Sequence, residues 1–165
     1  MDNLHRGSDM TTTGHELVFD EKIKVVLDDK GRDVYTISPE ATAAEAVREM
    51  NDRDVGGLVV VRGERPVGIF TERDVLRRLF GEGTDTQDIP VAKLMTEDLV
   101  VIDEDVTIGE AMAIITSKRC RHLPVVDRGR LAGIVSSGDL TKWVTRRQEI
   151  HIRDLTEYIQ GTYPV

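Results

Sequence analysis

Cysteine is nearly absent: Cys120 is the only one in 165 residues. A lone thiol excludes an intramolecular disulfide framework and fits a reducing cytoplasm. No apolar run approaches the ~18 residues that a membrane span requires, and no charged-then-apolar leader points to secretion. Positive charge is short as well. Asp and Glu number 30 against 22 Lys and Arg, a net charge of −8, which repels nucleic acid overall and argues against a general DNA or RNA binder. Catalytic signatures are missing too. There is no Walker-type phosphate loop. Cys120 and His122 stand two apart, but no second cysteine or clustered histidine completes a metal site. Ser136, His122 and Asp139 include the members of a hydrolytic triad, but no nucleophile elbow carries the serine. These absences argue against an enzyme. What remains is 39% hydrophobic and 32% charged, enough apolar material for the core of one soluble domain or of two small units.

The sequence repeats itself. Residues 36–79 laid on 101–144 without a gap share 11 identities in 44 positions, where ordinary composition gives roughly one in fifteen by chance. The pairs include Ile37 with Ile102, Thr42 with Thr107, Glu45 with Glu110, Leu58 with Leu123, Gly68 with Gly133 and Asp74 with Asp139. Each copy has the same local grammar. Thr42 and Glu45, like Thr107 and Glu110, are spaced as capping boxes at the start of an apolar-periodic helix. "GGLVVV" and "RHLPVVD" are β-branched runs too short for helices, and each is followed by a turn and a second strand, "RPVGIF" and "RLAGIV". Thr71 and Ser136 then stand as caps of a closing helix. The order per copy is strand, helix, strand, strand, helix.

Outside the copies, residues 1–16 are polar and unperiodic and read as a disordered leader, with Met10 as a candidate native start. Residues 17–80 form the first unit with a leading helix, 81–90 a linker, 91–145 the second unit, opened by the short helix "VAKLM". Residues 146–165 extend the last helix, with Ile150, Leu155, Tyr158 and Ile159 as an imperfect apolar stripe. Arg146 and Arg147 read as a solvated face.

Two β-α-β-β-α copies closing on "GIFTERD" (68–74) and "GIVSSGD" (133–139), together with "RHLPVVD", resemble the CBS domain family in its tandem form, the Bateman module. The resemblance covers about 115 residues, from Val34 to Thr145. It implies an α+β fold in which two repeats pack sheet to sheet about a pseudo-two-fold axis and leave two clefts for adenosine ligands: AMP, ADP, ATP, NAD or S-adenosylmethionine. The chemistry suits the motif. A ribose presents two hydroxyl donors, and a carboxylate one turn into a helix accepts both with charge assistance. The helix N-terminus favours phosphate oxygen. Thr71 and Asp74 are thus expected at one sugar, Ser136 and Asp139 at the other, with Asp139 at a solvent-facing helix start and with Gly68 and Gly133 letting the strands run close to their neighbours. The same motif also serves as a plain helix cap.

The two clefts are not expected to be equal, and the Asp139 cleft is expected to be the better phosphate site. For the Asp139 cleft the resemblance places phosphate at Arg121 and His122, with Arg119 nearby, and adenine near Thr36, Ile37, Ser38, Val55 and Gly56. For the Asp74 cleft the matching strand start is Gly56-Gly57, leaving Arg73 as the substitute cation, with adenine near Val101, Ile102, Cys120 and Arg121. A homodimer is expected through Val75, Leu76, Leu79, Met112, Ile115 and Trp143. Trp143 is read as packing against the other repeat or a second subunit. The resulting expectation is a cytoplasmic regulatory module that senses an adenosine nucleotide and acts in trans on a partner or through its own dimer, with no catalytic cofactor, no membrane and no nucleic acid. The alternative is a dimerisation scaffold with empty clefts.

Overall fold

The computed structural model describes residues 18–79 and 88–159, and the repeat is visible in its element order. The first half runs α1 (Ile23–Lys30), β1 (Thr36–Ile37), α2 (Ala43–Arg53), β2 (Gly57–Arg62), β3 (Arg65–Thr71) and α3 (Glu72–Asp74), which continues as a π-helical turn over Val75–Leu79. The second runs α4 (Val91–Leu94), β4 (Ile102–Asp103), α5 (Ile108–Lys118), β5 (His122–Asp127), β6 (Arg130–Ser136) and the long α6 (Ser137–Ile159). The expected leader at 1–16 and most of the expected linker lie outside the described residues, as do the side chains of Leu79, Leu155, Tyr158 and Ile159.

Local sequence explains the middle helices. Thr42 accepts from the Glu45 N–H while the Glu45 carboxylate accepts from the Thr42 N–H, and Thr107 with Glu110 repeats both bonds at the start of α5. Each box satisfies two donors that the first helical turn leaves open and contributes about 1 kcal/mol. Both helices end at equivalent positions, Asp54 and Arg119, in the left-handed conformation at φ +53°. Each half then builds a three-stranded sheet, β1-β2-β3 and β4-β5-β6, the first pair parallel and the second antiparallel. The registers correspond residue for residue: Leu58 faces Phe70 as Leu123 faces Val135. The irregularities correspond too, between Val60 and Val61 and between Val125 and Val126.

The packing crosses between halves. Ile23 N–H donates to the Val106 carbonyl and Ile108 N–H to the Glu21 carbonyl, tying the start of α1 to the start of α5. The mirror pair ties α4 to α2: Val91 N–H to the Ala41 carbonyl and Ala43 N–H to the Ile89 carbonyl. As a result Ile23, Val26 and Leu27 belong to the core of the second half, with Ile108, Leu123, Val125 and Val135. Val91 and Leu94 belong to the first, with Leu58, Val60 and Phe70. Each fully buried aliphatic side chain contributes roughly 1.5–3 kcal/mol, so the exchange of leading helices is a main bond between the halves. Residues 17–80 are contiguous in sequence but not in packing.

Gly68 and Gly133 make this exchange possible. A Cβ on Gly68 would lie 2.6 Å from the Met95 sulfur and 3.0 Å from the Thr96 carbonyl oxygen. A Cβ on Gly133 would lie 2.8 Å from a Leu27 methyl. Their neighbours are therefore the leading segments of the opposite half.

Trp143 is half-buried against the second core, donates its indole N–H to Glu21 at 2.8 Å, and stacks under the Arg147 guanidinium. Met112 and Ile115 pack on the same core, whereas Leu76 stands 63% exposed. Among the described residues no helix is long and apolar enough to cross a membrane.

Candidate ligand-binding site

Both Ser/Thr-x-x-Asp motifs close on themselves. Asp74 Oδ2 accepts from the Thr71 backbone N–H and hydroxyl, both at 2.9 Å. Asp139 Oδ2 accepts from the Ser136 N–H and hydroxyl, both at 2.8 Å, and the Asp139 N–H returns a bond to the Ser136 oxygen at 3.1 Å. Each acid also meets a third donor from the opposite half. For Asp74 Oδ1 it is the hydroxyl of Thr96 at 3.2 Å. For Asp139 Oδ2 it is the ammonium of Lys30 at 3.1 Å.

Burial separates the two further. Asp74 is 8% exposed, the one buried polar or charged side chain among the described residues. The Thr96 segment pairs with β3 at Ile69, and the Thr96 hydroxyl reaches this acid. Burial pushes the Asp139 carboxyl up, but the Ser136 N–H, the Ser136 hydroxyl and Lys30 together hold it below its ordinary value.

A cavity of about 400 Å³ opens beside Asp74. Thr71, Asp74, Gly56 and Ile69 from the first half form one side, and Leu99, Val100 and Cys120 from the second form an apolar wall. Cations ring it: Arg73 and Arg77 from the first half, Lys118, Arg119 and Arg121 from the second, with His122 among them. Thr96, Glu72 and Asp98 complete the lining. Five permanent positive charges face three carboxylates, on a chain whose net charge is −8. Such a local excess of positive charge in a cleft draws anions. A buried carboxylate, an apolar wall and a cationic rim are the three contacts that a sugar, a base and a phosphate ask for.

Thr71, Arg73, Asp74 and Cys120 line this cavity as one group. His122, expected only at the Asp139 cleft, lines it as well, together with Arg121 and Gly56, which the resemblance places at both clefts. Thr36 and Ser38 are exposed on and beside β1, with the Ser38 hydroxyl on Glu40, while Ile37 and Val55 pack on the first core. Ile102 is buried in the second core and Val101 points outward at 41% exposed; the cavity wall uses Val100 instead.

Arg77, Lys118, Thr96 and Leu99 were missed. Arg77 stands four residues beyond Arg73, a spacing that was open to inspection, whereas Thr96 enters only through the exchanged packing. Burial pushes the Cys120 thiol up, which keeps it protonated and poorly nucleophilic. His122 is pushed down, first by burial and then by Arg121 and Lys30, against the pull of Asp139. No group of three or more His, Cys, Asp or Glu among the described residues is placed to hold a metal ion.

Comparison with known proteins matches this chain twice to the CBS domain, over residues 24–81 and 91–146. A 17.7 kDa protein of Acidianus ambivalens is 36% identical over 131 residues, 78% of each chain. A mitochondrial CBS domain-containing protein of Arabidopsis thaliana is 36% identical over 74% of this chain and 62% of its own. The inosine-5'-monophosphate dehydrogenase of Thermoplasma acidophilum is 36% identical over 71% of this chain but only 22% of the enzyme. Among solved structures, a CBS-domain containing protein from Agrobacterium tumefaciens superposes with a TM-score of 0.70 at 38% identity, covering 74% of this chain and 98% of that one.

Proposed function

Because this chain belongs to the CBS domain family, with two of its repeats in tandem, we propose that it is a regulatory module that binds an adenosine nucleotide in the cavity beside Asp74. The observation that carries the reading is that the buried Asp74 carboxylate and five cations line one cavity of about 400 Å³, a volume within the range of small-molecule sites. The ribose hydroxyls replace the Thr96 hydroxyl on Asp74. The base lies against Leu99, Val100 and Cys120. Phosphate meets Arg119 and Arg121, with Arg77 and Lys118 in reach. Adenine as the base rests on the family resemblance. The bound state is passed on through the exchanged helices, either to a partner protein in trans or across a homodimer. The same unit occupies about a fifth of the Thermoplasma dehydrogenase, so CBS pairs also occur joined to an enzyme.

A scaffold reading has one observation in its favour: both acids are already used as helix caps. A thermal-shift panel of AMP, ADP, ATP, NAD and S-adenosylmethionine separates the two. At one hundred times its dissociation constant a ligand adds ~2.7 kcal/mol, a rise of roughly 5–10 °C for a domain of this size. No shift with any of the five leaves the scaffold.

A further inference from the structure

The two halves treat their acids differently at one point. In the first half the segment before β4 bridges β3: the Thr96 N–H donates to the Ile69 carbonyl at 2.9 Å, the Ile69 N–H donates back at 3.0 Å, and the Thr96 hydroxyl reaches Asp74. The repeat equivalents in the second half are Ile134 and Asp139. Both acceptors there are taken by one ammonium. Lys30 Nζ donates to the Ile134 carbonyl at 2.9 Å and to Asp139 Oδ2 at 3.1 Å. Lys30 is the last residue of α1, and Leu27, three residues earlier, is fully buried against Gly133. The ammonium is thus delivered by an anchored helix, and its side chain is only 27% exposed.

The consequence for a ligand is asymmetric. A sugar hydroxyl that replaces the Thr96 hydroxyl exchanges one neutral donor for another, at little net cost. Displacing Lys30 gives up a charge-assisted pair in favour of a neutral donor. We propose that Lys30 is the resident occupant of the second cleft's acid. The chain then takes one nucleotide, beside Asp74, and uses Asp139 to hold α1 on the second half. The stoichiometry rests on the nucleotide reading; the latch does not.

Hydrogen exchange on the ligand-free protein tests the latch. Lys30→Met keeps most of the stem and removes the charge. Amide exchange across α1 rises about tenfold in Lys30→Met and in Asp139→Asn, and no further in the double variant, because both remove one interaction. Unchanged exchange in Lys30→Met, or additive increases in the double variant, overturns it. Calorimetry with AMP, ADP and ATP tests the stoichiometry. The wild type takes one equivalent per chain, lost in Asp74→Asn, and Lys30→Met takes a second. Two equivalents in the wild type refute the single site and leave the nucleotide reading standing, whereas a single one lost in Asp139→Asn but kept in Asp74→Asn refutes the stoichiometry and overturns the Asp74 cavity as the nucleotide site. If the wild type binds none of the three, the nucleotide reading and with it the stoichiometry fall, and the exchange result decides the latch alone.

Discussion

Replacing Asp74 by asparagine separates the cap from the ligand contact. The amide keeps one oxygen for the Thr71 N–H and hydroxyl that now share Oδ2. Its NH2 group then faces Thr96, whose hydroxyl turns from donor to acceptor. No buried partner is orphaned, so stability moves by about 1 kcal/mol or less, which is roughly 2–4 °C in melting temperature. The ligand loses far more. Two ribose donors on a carboxylate make charge-assisted bonds of ~1.5–3 kcal/mol each, against ~0.5–1.5 for a neutral acceptor, and an NH2 group accepts nothing. With one donor left without a partner and the other on a neutral oxygen, the difference comes to about 2.5–4.5 kcal/mol, roughly 70- to 2,000-fold in dissociation constant. Calorimetry with the nucleotide that shifts the wild type most, and with its 2′-deoxy analogue, reads it directly. The wild type prefers the ribo form, and Asp74→Asn has nearly lost that preference. An Asn variant that binds within about threefold of the wild type and keeps the preference would show that Asp74 is only a cap.

Arg121→Ala weakens AMP by about tenfold but leaves adenosine nearly unchanged, and the gap narrows in high salt because the charge is exposed; equal losses place Arg121 against the base. Gly68→Ala forces a methyl to within 3.0 Å of the Thr96 carbonyl oxygen and costs about 1–3 kcal/mol in urea denaturation, whereas an unchanged midpoint denies the close approach. His122 is neutral more readily when folded than when unfolded. Its stabilising share is therefore complete above the unfolded value near 6.5 and is lost as pH falls from there toward the lower folded value. His122→Gln flattens the melting curve against pH in that window, and an unaltered profile refutes the assignment. Light scattering at micromolar concentration should give twice the 18.5 kDa chain mass, through a face that includes the exposed Leu76; a monomer mass counts against the dimer.

Much of the fold was legible because its causes are local. A threonine three residues before a glutamate caps a helix wherever it stands, so both boxes were readable, as were the hairpins beside them. The repeat itself fixed the equivalence of the two sheets. The site was less legible, for two reasons. β1 and β4 are two residues long, too short for alternation to set a phase, and the resemblance placed the wall at Val101 and Ile102, whereas Val100 lines the cavity. The packing of α1 and α4 on opposite halves is a non-local outcome that no window of sequence displays. It moved Thr96 onto Asp74 and Lys30 onto Asp139.

Helix length turns that exchange into an asymmetry. α4 has 4 residues and stops at Leu94, after which Met95 is extended, at ψ 157°. Met95 covers Gly68, and Thr96, next in an extended chain, pairs with β3 through its backbone. α1 has 8 residues. Its contact with the equivalent Gly133 comes from Leu27, inside the helix, and three further residues follow before Gly31 ends it at φ +94°. Three residues of helix advance the chain about 4.5 Å along its axis, which carries Lys30 past the glycine contact to the ends of β6 and its acid. A backbone bridge and a hydroxyl serve one half; a side-chain ammonium serves the other. The same motif, repeated at a fixed distance, thereby meets a neutral hydroxyl in one copy and a charge in the other.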